Sequence, residues 1–190
     1  MERNEDLIDL INLCKQNDSI AQQRIFKCYK NKLFALCLRY SKSSSEAEDM
    51  LMEGWMRIFK FIDNFEINED FNSFVFEAWI KKVMINNSIN MYRTSKKYNM
   101  NEVSIEISNI NTQQIFETDY MFSEEELISC VQELPKALRI IFNMSAIDEY
   151  SNKEISQELN MTPNSVKSNL YKARKALKEN LDKIANKELR

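Results

Sequence analysis

The chain of 190 residues is 44% hydrophobic and carries a formal net charge of −3, which is enough apolar material for one large or two small domains. Its one Gly and two Pro are too few for a sheet protein built on tight turns; with no apolar run of about 18 residues and no basic start leading into an apolar stretch, an all-α, cytoplasmic chain without a membrane span is expected. Histidine is absent, Gly54 alone cannot build a phosphate loop, and Cys14, Cys28, Cys37 and Cys130 lack C-x-x-C spacing, so reduced thiols are expected and no catalytic residue, metal site or cofactor.

Leu7, Leu10, Ile11 and Cys14 recur at helical spacing, Asp18 and Ser19 offer a break, and Ile25, Phe26, Tyr29, Leu33, Phe34, Cys37 and Leu38 continue the period. This predicts two packed helices. After the polar punctuation of Ser43 to Ser45, Glu46, Glu48, Asp49 and Glu53 crowd the start of a helix reaching about Ile62, where the helix dipole favours acids. Met50, Leu51, Trp55, Ile58 and Phe59 form its apolar side; the other side shows carboxylates, then Arg57 and Lys60. Such a face suits either a basic partner helix or plain solvation. Residues 63–72 lack periodicity and predict a loop, with Phe65, Ile67 and Phe71 its apolar members. Phe74, Phe76, Trp79, Ile80, Val83, Met84 and Ile89 then mark another helix. Its end carries Asn86, Asn87, Asn90, Tyr92, Arg93, Lys96 and Lys97, residues that together suit single-stranded nucleic acid.

From Asn99 to about Phe122 the composition turns to Asn, Ser, Thr, Gln and Ile without a helical period, which predicts a linker. Val103, Ile105 and Ile107 alternate like a short strand, but no partner strand is evident. A charged cluster at Glu124 to Glu126 precedes Leu127, Ile128, Val131 and Leu134, a helix ended by Pro135. Leu138, Ile140, Ile141, Phe142 and Met144 predict the next. Ser151 and Glu154 form a capping box, Ile155 and Leu159 supply an apolar face, and Asn160 tolerates the left-handed turn that follows. Thr162 as N-cap and Pro163 at the first helical position start a further helix at once. Two helices so closely joined predict a helix-turn-helix, whose second helix enters the DNA major groove. From Pro163 onward eight Lys or Arg stand against three Asp or Glu, net +5, so the chain total of −3 leaves −8 for the preceding residues. A basic, nucleic-acid-facing end on an acidic body is the expectation.

With those motifs in place, the chain resembles the extracytoplasmic-function group of the sigma-70 family of transcription initiation factors. SVKSNLYKARKAL, Ser165 to Leu177, matches the group's C-terminal recognition helix, and Leu134-Pro135 the step that opens that domain. SEAEDMLMEGWMRIF, Ser45 to Phe59, is similar to the acidic helix that binds the polymerase clamp helices. FNSFVFEAWIKKVMINNSINMYR, Phe71 to Arg93, looks like the pattern before the basic end of the N-terminal domain.

The resemblance implies a region 2-like bundle over 1–98, a polar linker over 99–122 and a four-helix region 4-like domain over 123–190. Binding to core RNA polymerase would use Glu46, Glu48, Asp49, Glu53 and Arg57. The loop from Asn64 to Ser73 would capture a flipped base of the −10 element, with Asn86, Asn90 and Arg93 beside it. Asn164, Ser165, Lys167 and Ser168 would enter the −35 major groove, with Lys172, Arg174 and Lys175 on or near phosphates. An anti-sigma factor is a common further partner in that family. Met52 stands where the family commonly has a glutamine, Asn160 where it has a glycine and Asn169 where it has an arginine. Two other readings of the residues remain: a stand-alone helix-turn-helix regulator, and a helical protein-interaction adaptor with a solvated basic end.

Overall fold

In the computed structural model, residues 4–98 and 122–188 are described, and all their regular structure is helical. In chain order the helices are α1 (Asn4–Lys15), α2 (Ser19–Tyr40), α3 (Ser44–Phe61), α4 (Ser73–Tyr98), α5 (Glu124–Gln132), α6 (Lys136–Phe142), α7 (Asn152–Leu159) and α8 (Pro163–Glu188). The predicted linker core and the alternation of Val103, Ile105 and Ile107 lie outside the described residues. The chain divides into two compact units, one of Met1–Leu38 with Ser43–Asn90, the other of Arg39–Lys42 with Met91–Arg190.

The N-terminal unit follows its apolar periods. Asn17 turns the chain at φ 61°, and the Asp18 carboxylate accepts the Ala21 N–H at 2.7 Å, which starts α2 after the expected break. The Ser43 hydroxyl accepts from the Glu46 N–H at 3.2 Å and starts α3. Along α3, Ala47, Met50, Leu51, Trp55 and Ile58 are buried, as their spacing requires. Opposite them on α4 lie Ile80, Met84 and Ile89, which are also buried.

Gly54 explains how closely α3 and α4 approach, because a Cβ built there would overlap the Met84 thioether. Met84 is fully buried, so its end has little room to yield. Overpacking costs about 1–3 kcal/mol against about 1 kcal/mol that Ala gains over Gly in a helix. Gly54→Ala is therefore expected to lower thermal stability by about 1 kcal/mol net. Shortening Met84 in the same chain should relieve that loss, so a thermal-melt double-mutant cycle should show favourable coupling.

In the C-terminal unit, α5, α6 and α7 all pack on α8. The Ser123/Glu126 and Ser151/Glu154 pairs each form a reciprocal capping box, at the starts of α5 and α7. Between α6 and α7, Asn143–Ile147 forms a π-helical turn. Around it sits a buried polar cluster. The Arg139 guanidinium donates to the carbonyls of Gln132 (2.7 Å), Leu134 (3.3 Å) and Tyr40 (3.1 Å). The Asn143 amide donates to the carbonyls of Arg39 and Arg139 at 2.7 and 2.9 Å. Asp148 accepts a bidentate pair from Arg39 at 2.7 and 3.0 Å and the Tyr40 hydroxyl at 2.6 Å. Burial first, and the Asp148 charge second, push the Tyr40 hydroxyl well above its usual range, so it remains a neutral donor.

Several side chains depart from their predicted places. Phe74 and Leu127, expected on apolar faces, are 72% and 44% exposed. Both lie within the first four residues of their helices, where the chain has not yet turned far enough to lay every apolar position against the core. Cys14, Cys37 and Cys130 are buried and Cys28 is exposed, all four as free thiols. Burial, with Asp18 adding to it, pushes the Cys14 thiol up to about 11, which makes it a packing group rather than a nucleophile.

Candidate nucleic-acid and partner interfaces

The helix-turn-helix is built as its local sequence requires. α7 ends at Asn160, whose left-handed backbone (φ 50°, ψ 53°) lets the Met161 N–H reach the Ser156 carbonyl at 2.9 Å. Thr162 Oγ1 then accepts the Ser165 N–H at 3.1 Å, and Pro163 opens α8. Val166, Leu170 and Ala173 are buried, and this single stripe fixes which face of α8 looks outward. Asn164, Lys167, Arg174 and Lys175 are exposed.

The other three predicted −35 residues are placed less openly. Ser165 accepts a hydrogen bond from the Thr162 hydroxyl at 2.9 Å and so takes part in the cap. The Ser168 hydroxyl oxygen is sealed from solvent and finds no partner among the protein atoms. Lys172 is half-buried. Asn169, which stands where the resembling family has an arginine, is half-buried as well.

On α3 the exposed side carries Glu48, Asp49, Met52 and Met56, with Glu53 and Arg57 half-buried beside them. Arg57 pairs with Glu53 at 2.9 Å one helical turn away, so this arginine is partly neutralised within the stripe. Glu46 is half-buried near the N-cap. Met52 and Met56 are 57% and 71% exposed, and polarizable thioethers between carboxylates make an adaptable contact surface. Met56 is not among the residues that the sequence assigned to this face. It stands four residues after Met52, on the side opposite Met50, Leu51 and Trp55, so the same period contained the signal.

The segment between α3 and α4 is fixed by one aromatic. Phe65 is buried against Phe71, Phe76 and Trp79 at ring separations of 6.1, 5.2 and 5.3 Å, and its carbonyl accepts from Lys15 Nζ at 2.7 Å. This anchor leaves Asn64 and residues 66 and 68–70 exposed. At the far end, Asn72 Oδ1 accepts the N–H groups of Phe74 and Val75 at 3.0 and 3.3 Å and so starts α4. Ser73, also predicted in this loop, is half-buried as the first residue of α4.

The predicted single-strand surface on α4 is narrower than its composition implied. Asn86 is exposed and Asn90 half-buried. Asn87 is buried and donates to the Met50 carbonyl at 3.3 Å, and Tyr92 is 5% exposed. Neither of those two is available to a base, because each fills the interior beside its helix. Lys96 and Lys97 have side chains outside the described residues. Arg93 donates to both the main-chain carbonyl and the carboxylate of Glu158 on α7 within the C-terminal unit, the latter at 3.1 Å.

Known families match the chain in two consecutive blocks: region 2 of sigma-70 over residues 25–98 and region 4 of sigma-70 over residues 124–177. The chain belongs to the sigma-70 family. It is 27% identical over 181 residues to the ECF RNA polymerase sigma factor SigW of Bacillus subtilis, covering 90% of this chain and 94% of that one. To the ECF RNA polymerase sigma factor SigM of the same organism it is 26% identical, covering 86% of this chain and 97% of that one. Among solved structures, the sigma factor RpoE of Bartonella quintana, in complex with the anti-sigma factor NepR, aligns at 19% identity with a TM-score of 0.48, covering 84% of this chain and 96% of that one. Helix α8 as far as Leu177 thus lies in the region 4 block of this sigma-70 protein, and the acidic, methionine-bearing face of α3 in its region 2 block.

Proposed function

We propose that this sigma-70 family protein binds core RNA polymerase and directs it to specific promoters. Region 2-like residues 1–98 would engage the polymerase and the −10 element, 99–122 would link, and 123–190 would recognise the −35 element. The observation that carries this reading is the order of the two sigma-70 blocks in one chain, each with an exposed face of matching chemistry. In region 2 the face is Glu48, Asp49, Met52 and Met56 with half-buried Glu53 beside them, anionic and adaptable toward a basic partner helix. In region 4 it is Asn164, Lys167, Arg174 and Lys175, an amide and cations toward base edges and phosphates. Asn64 with the exposed residues after Phe65, together with Asn86, Asn90 and Arg93, are the candidate −10 contacts.

The test is transcription from a fragmented genomic promoter pool by core polymerase with and without the protein, with start sites sequenced. A defined set of new starts is expected, and their absence would remove the proposal. On any promoter so found, Lys167→Ala should reduce initiation by about tenfold, within the range of about 1–3 kcal/mol for one base contact. Polymerase co-purification should be unchanged, and equal loss of both would contradict the assigned role. A stand-alone regulator would instead bind its duplex tightly without polymerase.

A further inference from the structure

Two arginines are held by carboxylates within the C-terminal unit, and their surroundings differ. Arg39 sits on Asp148 with side-chain exposures of 19% and 11%; the guanidinium also donates to Asn143 Oδ1, and Asp148 accepts the Tyr40 hydroxyl. It is a structural anchor. Arg93 sits on Glu158 with exposures of 35% and 41%, so solvent and competing anions reach both partners. The guanidinium faces a carboxylate oxygen and a carbonyl oxygen together, the same kind of acceptor pair that a nucleotide offers through its phosphate or base. Arg93 is also the one predicted −10 contact whose cation is engaged by another part of the described chain.

We infer that Glu158 is an intramolecular competitor for nucleic acid at Arg93. In the free chain the carboxylate occupies the guanidinium, and single-stranded DNA gains Arg93 only by displacing it. The contact is thus autoinhibitory, and it weakens the free chain's grip on single strands that happen to be exposed. This inference rests on the assignment of Arg93 to nucleic acid made under the proposed function. A half-exposed ion pair sets the size of the effect at about two- to fivefold in affinity. Added salt should shrink the effect, because it screens the pair.

The experiment is fluorescence anisotropy of the full chain with a labelled single strand of about 20 mixed-sequence nucleotides at low salt. Glu158→Gln retains the side chain's shape and an acceptor oxygen while removing its charge. It is expected to tighten binding about two- to fivefold, and Arg93→Gln to weaken it. In the chain carrying both changes, the gain from Glu158→Gln should vanish. The inference is overturned if Glu158→Gln has no effect, or if its gain persists without Arg93, since a general loss of negative charge would then explain it. It is likewise overturned if Arg93→Gln leaves affinity unchanged, or if no chain binds the strand. Capture of core polymerase by the unaltered protein, measured in parallel, shows whether the initiation-factor reading survives such an outcome.

Discussion

Replacing Asp49 with Lys is expected to weaken capture of core RNA polymerase by at least about tenfold, a loss of roughly 1.4 kcal/mol or more. Asp49 is exposed on α3 between Glu48 and Met52, and the helix buries its opposite side through Met50, Leu51, Trp55 and Ile58. The substitution therefore touches no core contact. It would replace the proposed attraction toward a basic helix by a repulsion, and like charges set together at an interface cost several kcal/mol. Glu5→Lys makes the same change of charge at an exposed position of α1 and serves as the control. The measurement is competitive co-purification of each variant against the unaltered protein, with circular dichroism to confirm helix content. Equal behaviour of the two variants would remove α3 from the polymerase interface.

The second large effect is structural. Arg139→Ala is expected to destabilise the C-terminal unit by about 3 kcal/mol, which follows from the acceptors it would abandon. Arg139 is 2% exposed, and its donors satisfy the carbonyls of Gln132 and Leu134, where α5 ends before Pro135. Proline has no N–H to continue the ladder, so the side chain supplies hydrogen bonds that the backbone there lacks. Alanine would leave these carbonyls in a dry cavity. Lysine would restore the charge without the planar fork and recover only part of the loss. Hydrogen exchange of the α5 and α6 amides is the suitable readout, because a chain with two compact units need not unfold in one step. Unchanged protection in Arg139→Ala would show that water replaces the guanidinium without cost.

The parts of this fold legible in the sequence are those set by neighbours three or four residues apart. The box at Ser151 and Glu154, the left-handed Asn160 and the cap at Thr162 all lie within a turn of their partners, and each stands as expected. The same logic applied to Ser123 and Glu126, yet that box was hidden in a charged cluster beside the linker. Burial at the end of α4 was less legible, since Asn87 and Tyr92 are polar types whose placement depends on what packs over them. The polar cluster of Arg139, Asn143 and Asp148 left no local signature. Its partners Arg39 and Tyr40 lie about a hundred positions away, and the π-helical turn that carries Asn143 departs from the period used to find helices. The exposed acids of α3 and the exposed cations of α8 were legible by chemical type, whereas the pairing of Arg93 with Glu158, 65 positions apart, left no local signal.

The chain's reversals at Asn17, Glu149 and Asn160 adopt φ of 61°, 60° and 50° without a glycine at any of them. A side chain in that backbone region costs roughly 1–2 kcal/mol, less for asparagine, while glycine would enlarge the unfolded ensemble by about 0.4–1 kcal/mol. The two terms nearly offset each other at the asparagines. A protein with one glycine in 190 residues thus turns its corners with a stiff denatured chain. Fewer disordered conformations compete with each bend, and the helix-turn-helix corner gains its shape from what the unfolded state is denied.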